Sequence, residues 1–424
     1  MNSESNRAPN GSALRAATPN SALWNRGFLI IILVSCLINF GNFFVGNAFS
    51  YWIIDIGGTN ATFGLIHGLY SALCLVARIF TGWLADNSNR RVTFLASCAV
   101  FIGSIIMMLI SPFLGLFIAM RLLSGFGIGS ATTVVTACSY DEIPDEKMDK
   151  GIGYIALFSS LITALTPVLS ISAYNSHGPK SLVLISSIAI VVGVAVSYLV
   201  TFRMPNPETK KKLSLKNVFD PKQLFDVRCL KPAIPMALSV HVGMGVRSFV
   251  TLYGRSLGFA NPGWFSTVSA VGLIFVRLAL DRFKNDDPAP SKRIYFAYGM
   301  FIVFLFCIAF CKNLFMFYAA ALIWSVAYGI LMPSFTGMIV RAVPESRRGV
   351  AASMTGICGD VGMVVGSTVG GYIADAWGYP AMYLSVLVPV VLCCIYYRVN
   401  LDGKYKPYDT AADGNDPQIG GGGS

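Results

Sequence analysis

Four arginines stand inside long apolar stretches of this chain: Arg78, Arg121, Arg247 and Arg277. A charge held near the centre of a bilayer costs on the order of 3 kcal/mol or more and persists only where it faces a cavity or a partner. One acid, Asp360, sits clearly within such a stretch. Four positive groups against one negative leave an excess that an anionic or zwitterionic cargo would balance, since a guanidinium offers a planar fork matched to a carboxylate. Arg121 and Arg247 are the expected cargo contacts. Arg78 and Arg277 also admit a structural reading: Arg78 lies two turns before Asp86, and Arg277 has Asp281 at i+4 on the same helix face. Asp360 is the expected proton carrier, because burial and a neighbouring arginine act in opposite senses on a carboxyl's charge. The alternative is a static ion pair with one of the arginines. His67 and His241 titrate near neutrality, although a lone histidine is more often a packing residue.

Uncharged polar groups extend the candidate site. Asn39 and Asn42 lie one turn apart on the first apolar stretch, with Asn47 beyond them. In lipid their amides must bond neighbouring helices or line a cavity. Tyr70 and Trp324 are deep enough to stack on a cargo, though aromatics in such chains mostly serve packing or the membrane interface. Three scattered histidines and ten cysteines without CxxC spacing predict no metal centre and no cofactor. The cysteines read as small hydrophobes, with Cys229 alone in a basic loop.

The elements that hold these residues are membrane-spanning helices. Of 424 residues 54% are apolar and 12% charged, and the mean hydropathy is +0.62. A soluble chain averages about 25% charged residues. The composition excludes a soluble enzyme, and no nucleophile–base pair or phosphate-cradling glycine loop appears. Twelve apolar runs are each long enough to cross a bilayer as a helix, at roughly 28–53, 62–84, 92–110, 114–139, 151–173, 181–202, 232–253, 262–281, 293–311, 314–340, 350–374 and 379–398. The predicted class is an all-α membrane protein with twelve helices in two six-helix pseudo-repeats. The predicted organisation is a disordered cytoplasmic tail over 1–26, helical bundles over 27–203 and 232–400, a basic cytoplasmic linker over 204–231, and a second cytoplasmic tail over 401–424 that ends in an appended GGGGS linker.

Charge orients the chain. With both tails and the even-numbered loops on one side, that side carries 25 of the 32 lysines and arginines; Lys180, Arg255 and Lys312 fall opposite, and four lie in the runs. Positive residues mark the cytoplasmic face, so the net charge of +11 is a topology signal and no nucleic-acid partner is expected. The halves also echo each other. Asp141–Glu146 leads to Lys150-Gly151, and Arg341–Glu345 leads to Arg348-Gly349, the two glycines standing 198 residues apart. Arg78 and Asp86 have partial counterparts in Arg277 and Asp281. Parallel repeats of this kind place a binding site near the midplane between the halves.

At Gly82-Trp83-Leu84-Ala85-Asp86-Asn87-Ser88-Asn89-Arg90-Arg91 the chain resembles the major facilitator superfamily, whose loop between helices 2 and 3 reads roughly G-x-L-A-D-x-x-G-R-K/R. Asn89 replaces the usual glycine and is expected to take its left-handed turn. Arg121 with Gly125 resembles the family's helix-4 motif. The resemblance implies a role for Arg121 in coupling or cargo binding, and a cytoplasmic gate built from Asp86, Arg90 and Arg91, with Arg78 and Arg277 near it. The drug:proton antiporter branch is resembled only in part, since helix 5 keeps Pro167 but not the flanking glycines. Leu257–Gly263, Arg277 and Asp360-Val361-Gly362 resemble the staphylopine-type metallophore exporters.

The expected function is a proton-coupled secondary transporter in the cell membrane, exporting a small anionic, zwitterionic, metallophore-like or drug-like compound; the alternative is symport of an organic anion or nutrient. Its expected partners are that small molecule, protons and the lipid bilayer, and it is expected to act as a monomer.

Overall fold

The computed structural model describes residues 24–87, 89–111, 113–143, 148–200, 202, 227–282, 291–343 and 348–405. The expected tail over 1–23, most of the linker and the residues after 405 lie outside them. All regular structure among the described residues is helical. The first group comprises α1 (Arg26–Asp55), α2 (Asn60–Asn87), α3 (Arg90–Leu109), α4 (Leu114–Asp141), α5 (Met148–His177) and α6 (Pro179–Ser197). The second comprises α7 (Val227–Ser256), α8 (Trp264–Arg282), α9 (Ser291–Ala309), α10 (Leu314–Arg341), α11 (Arg348–Ser385) and α12 (Leu387–Asn400).

Ten helical stretches among the described residues are long and apolar enough to cross a bilayer. One, Met354–Asn400, has 47 residues. At 1.5 Å per residue it would span about 70 Å, more than twice a hydrocarbon core of about 30 Å. Gly378, at φ 81° and ψ 169°, breaks it within α11. A further stretch, Trp264–Arg277, is shorter and apolar. The outward faces are apolar: Phe275, Phe315 and Trp377 are 67%, 84% and 74% exposed. Apolar surface on this scale fits lipid rather than water.

Side-chain caps start several helices where the sequence offers asparagine. Asn25 Oδ1 accepts from Phe28 N at 2.7 Å, and Asn313 Oδ1 accepts from Met316 N at 2.8 Å. Asn89 does the same for α3, accepting from Arg91 N at 3.0 Å with φ at −72°. The expected left-handed turn is therefore wrong here. Asparagine can bond the helix's first amides and so begins α3 from an extended backbone, which glycine would do without a side-chain bond. Cys229 needs a second correction: it is fully buried in the first turns of α7 and its thiol donates to the Ile339 carbonyl at 3.6 Å. Its charged neighbours Arg228 and Lys231 occupy the exposed side of the same turns. Beyond α12, Asp402 accepts from Ser291 Oγ at 2.6 Å and from Tyr295 Oη at 2.7 Å. Those hydrogen bonds hold its carboxyl below the usual carboxylate range.

Helix packing follows one pattern twice. α1 packs on α4, α5 and α6, while α2 and α3 pack on α4. α7 packs on α10, α11 and α12, while α8 and α9 pack on α10. Adding six to each label converts the first set into the second. Two large seams join the groups, α2 against α11 and α5 against α8.

Candidate functional site

Both seams hold close backbone contacts near one end of the molecule. A Cβ on Gly64 would lie 2.1 Å from the Ser367 carbonyl oxygen, and one on Gly371 would lie 2.4 Å from that of Asn60. Only hydrogen fits between backbones this close. Beyond the glycines, the Asp375 carboxylate accepts from Asn60 N at 2.9 Å and Ala61 N at 2.8 Å, capping α2 from α11. Tyr379 Oη donates to Asn60 Oδ1 at 2.7 Å. On the other seam Thr267 Oγ1 donates to the Ala164 carbonyl at 2.6 Å and Asn261 Nδ2 to that of Val168 at 3.1 Å. Between the seams Arg255 meets Asp55 at 2.9 Å and lies over the Tyr51 ring at 4.5 Å. Tyr174 donates to the same carboxylate at 2.8 Å.

Below this sealed end lies a cavity of about 910 Å³. It runs from Ser50, Phe63 and Thr251 to the exposed Tyr140 near the end of α4. Of the residues expected at the site, Asn39, Asn42, His67, Tyr70, Arg78, Arg121, Arg247 and Asp360 all line it. Among the described residues no other carboxylate lines it.

Arg121 is its deepest cation, 3% exposed. Its guanidinium lies between two rings, 4.5 Å from the Phe49 centroid and 4.1 Å from that of Tyr70. Cation–π attraction of roughly 1–2 kcal/mol offsets part of its desolvation. Among the described residues its Nε and Nη1 have no hydrogen-bond partner. Tyr70 is itself fixed by donating to Asn42 Oδ1 at 2.7 Å. Asn39 donates to the Ser35 carbonyl at 2.8 Å within α1, and Asn47 to Thr166 Oγ1 of α5 at 3.1 Å. All three line the cavity, and Asn42 and Asn47 also tie α1 to α2 and α5. His67 stacks on Phe63 at 5.5 Å and 18°, and its Nδ1 has no partner among the described residues. Asp360, on α11, shares the cavity wall with Arg78 on α2, and no ion pair within 4 Å joins Asp360 to any described residue.

A second chamber of about 260 Å³ adjoins the first between α5, α8 and α10. Arg247 lines both, whereas Arg277 and Trp324 line only the second. Trp324 stacks on Tyr328 at 4.8 Å and 12°. His241 lines neither chamber and sits against α11 at Gly362. Arg90 is held by Asp141, and Arg91 donates to the Val200 carbonyl at 2.8 Å with its guanidinium 5.1 Å from the Tyr198 ring. The side chains of Asp86 and Asp281 lie outside the described residues.

The sealing contacts were not anticipated. Asp55, Tyr174, Asn60, Asp375 and Tyr379 escaped the sequence reading because each meets a partner on a distant helix. One signal was present: on a face with only three basic residues, an acid such as Asp55 at a helix end has few partners to choose from.

The model of the Major Facilitator Superfamily matches residues 31–367 and 263–416. The staphylopine export protein of Staphylococcus aureus is 25% identical over 356 residues, covering 81% of this chain and 89% of the relative. Multidrug resistance protein MdtL of Escherichia coli is 23% identical over 357 residues, covering 80% and 85%. Among solved structures, the nucleoside transporter NupG superposes with a TM-score of 0.74 at 11% identity, over 90% of this chain and 100% of that one. A bacterial homologue of the human lysosomal transporter Spinster, inward-facing and unoccupied, gives 0.70 at 16% identity, over 90% and 98%. These two likenesses concern the fold. The family match spans nearly all of the helical chain: the chain belongs to the Major Facilitator Superfamily, as a multi-span membrane transporter with efflux proteins among its relatives and not an enzyme.

Proposed function

We propose that this protein is a proton-coupled secondary transporter that exports a small anionic or zwitterionic metabolite across the cell membrane by alternating access. One observation carries the reading: Arg78, Arg121 and Arg247 line a single cavity in which Asp360 is the one carboxylate among the described residues. A cargo bearing an acidic group restores the balance, and Asp360 beside Arg78 is placed to exchange a proton as that group arrives or leaves. The efflux relatives favour export over uptake. The metallophore-like class, carboxylate-rich by nature, fits the arginines better than a cationic drug does.

The paired packing supports twelve spans in two six-helix bundles, 27–203 and 232–400, joined by the linker 204–231. With the basic side inward, both termini are cytoplasmic, the Asp55 end faces outward and the cavity opens to the cytoplasm. Asp86, Arg90 and Arg91 then form the inner gate. Arg90 and Arg91 are held here by Asp141 and Val200 of their own bundle, as expected when that gate has parted from α11. The protein acts as a monomer in this reading.

Competition binding on the purified protein tests the proposal. Small carboxylates are expected to displace one another and to outcompete organic cations of equal size. Displacement by cations alone would overturn it.

A further inference from the structure

We infer that the chamber between α5, α8 and α10 is an oxyanion site, and that the cargo carries two separated acidic groups, one for this chamber and one for the Arg78–Arg121 region. This rests on the export of an acidic metabolite proposed above and specifies its class.

The chamber is furnished with donors. Arg247 and Arg277 line it from α7 and α8, while the Thr163 and Ser269 hydroxyls donate to the Ser159 and Ala321 carbonyls at 2.9 and 3.5 Å. Trp324 is 5% exposed, and its Nε1–H has no acceptor among the described residues. An indole N–H can only donate. A buried donor left unmatched forfeits the hydrogen bond it had with water, so an acceptor is called for at this place. Among the described residues no aspartate or glutamate lines the chamber. Two guanidinium groups and an indole donor make a receptor for carboxylate or phosphate oxygens.

The twofold packing sharpens the point. The α2–α11 seam pairs with the α5–α8 seam when labels shift by six. On the first, Arg78 shares its wall with Asp360 of α11. On the second, Arg277 stands in the place of Arg78, but the facing α5 supplies Ser159, Ser160 and Thr163 and no acid. In this reading the cargo supplies the negative charge that the second seam lacks among the described lining residues.

Size assigns it to part of a molecule. About 260 Å³ falls below the range of roughly 300–1,000 Å³ that whole ligands occupy. The chamber continues into the 910 Å³ cavity past Arg247, which lines both. A molecule reaching from one to the other places an acidic group against each arginine cluster. The phosphate of a lipid headgroup offers the same chemistry from another source, and the test separates the two.

The protein in nanodiscs of zwitterionic lipid is titrated calorimetrically at neutral pH with α,ω-dicarboxylates from succinate to azelate and with straight-chain monocarboxylates of matching length. At least one diacid is expected to bind ten-fold or more tightly than its monoacid. Arg277→Gln is expected to collapse that ratio to within about two-fold of unity. Trp324→Phe, which keeps the ring packing and removes only the N–H donor, is expected to lower the ratio in the same sense even if Arg277→Gln folds poorly. Diacids and monoacids binding alike in the wild type, or a ratio that both variants leave intact, would overturn the two-acid class while leaving an acidic cargo standing. Failure of every acid to bind would overturn both readings. In nanodiscs of anionic lipid, an unchanged diacid affinity supports the cargo assignment. An affinity weakened in the wild type but not in Arg277→Gln would show a lipid phosphate in the chamber and overturn it.

Discussion

Arg255 of α7 holds Asp55 of α1 at 2.9 Å, joining the two helical groups where the cavity ends. Both side chains are partly exposed, so a contribution of about 1 kcal/mol is appropriate. Asp55→Asn is expected to shift the ratio of outward-closed to outward-open protein by roughly five-fold. Distances between spin labels on the outer ends of α1 and α7 read this directly; an unaltered distribution would remove the pair from the seal.

Gly64 and Gly371 make a stricter closure, because backbone meets backbone. A methyl group at Gly64 would lie 2.1 Å from the Ser367 oxygen, and the carbonyl has no rotamer by which to move aside. Gly64→Ala is expected to hold α2 and α11 apart and cut transport at least ten-fold while the protein still folds. The label distances across that seam should lengthen; normal transport by this variant would show that the helices can slide past the clash.

Asp360→Asn is expected to abolish the dependence of transport on an imposed pH gradient in proteoliposomes while sparing exchange of labelled for unlabelled cargo. An amide keeps the size and cannot carry a proton. Wild-type pH dependence in this variant would take Asp360 out of coupling.

Arg121 is gripped through its flat faces by Phe49 and Tyr70. Lysine keeps the charge but neither the plane nor the fork. Arg121→Lys is therefore expected to weaken carboxylate binding ten- to a hundred-fold, nearly as far as Arg121→Ala does. Full retention of affinity by the lysine variant would mean that charge alone matters there.

Asp402 supplies a pH prediction outside the membrane. Its carboxyl is held low by Ser291 and Tyr295. A lowered folded-state value means stabilisation that is present above the ordinary carboxylate pKa of about 4 and lost as pH falls through the lowered value. Asp402→Asn should melt below the wild type at neutral pH, and the gap should close in acid. A gap that stays constant as the pH falls well below the ordinary carboxylate range would assign it to packing instead.

The helices were legible because an apolar run of the right length has little else to become. Phe28 to Ile53 reads as a span and falls within α1. The central cavity was partly legible for a related reason: a guanidinium such as Arg121 has no place among lipid tails, so its position in a run points inward. Pairings between distant helices were not legible. Asp55 and Arg255 stand 200 positions apart, and nothing local in either segment names the other. Asn89 misled through its neighbourhood, since a family pattern with glycine at that position suggested a backbone shape, whereas its side chain served as a cap. The side chamber escaped notice because serines and threonines on α5 look like ordinary helix polar residues until α8 brings Arg277 opposite them.

Arg121 also bears on how this protein should be handled at the bench. Among the described residues two of its nitrogens face no acceptor, and its charge is shielded from bulk solvent, so the carrier without cargo is expected to be its least durable form. Additives bearing an acid group should lengthen its shelf life in detergent. Ranking a library of metabolites by the protection each gives against heat would turn that weakness into a route to the natural cargo.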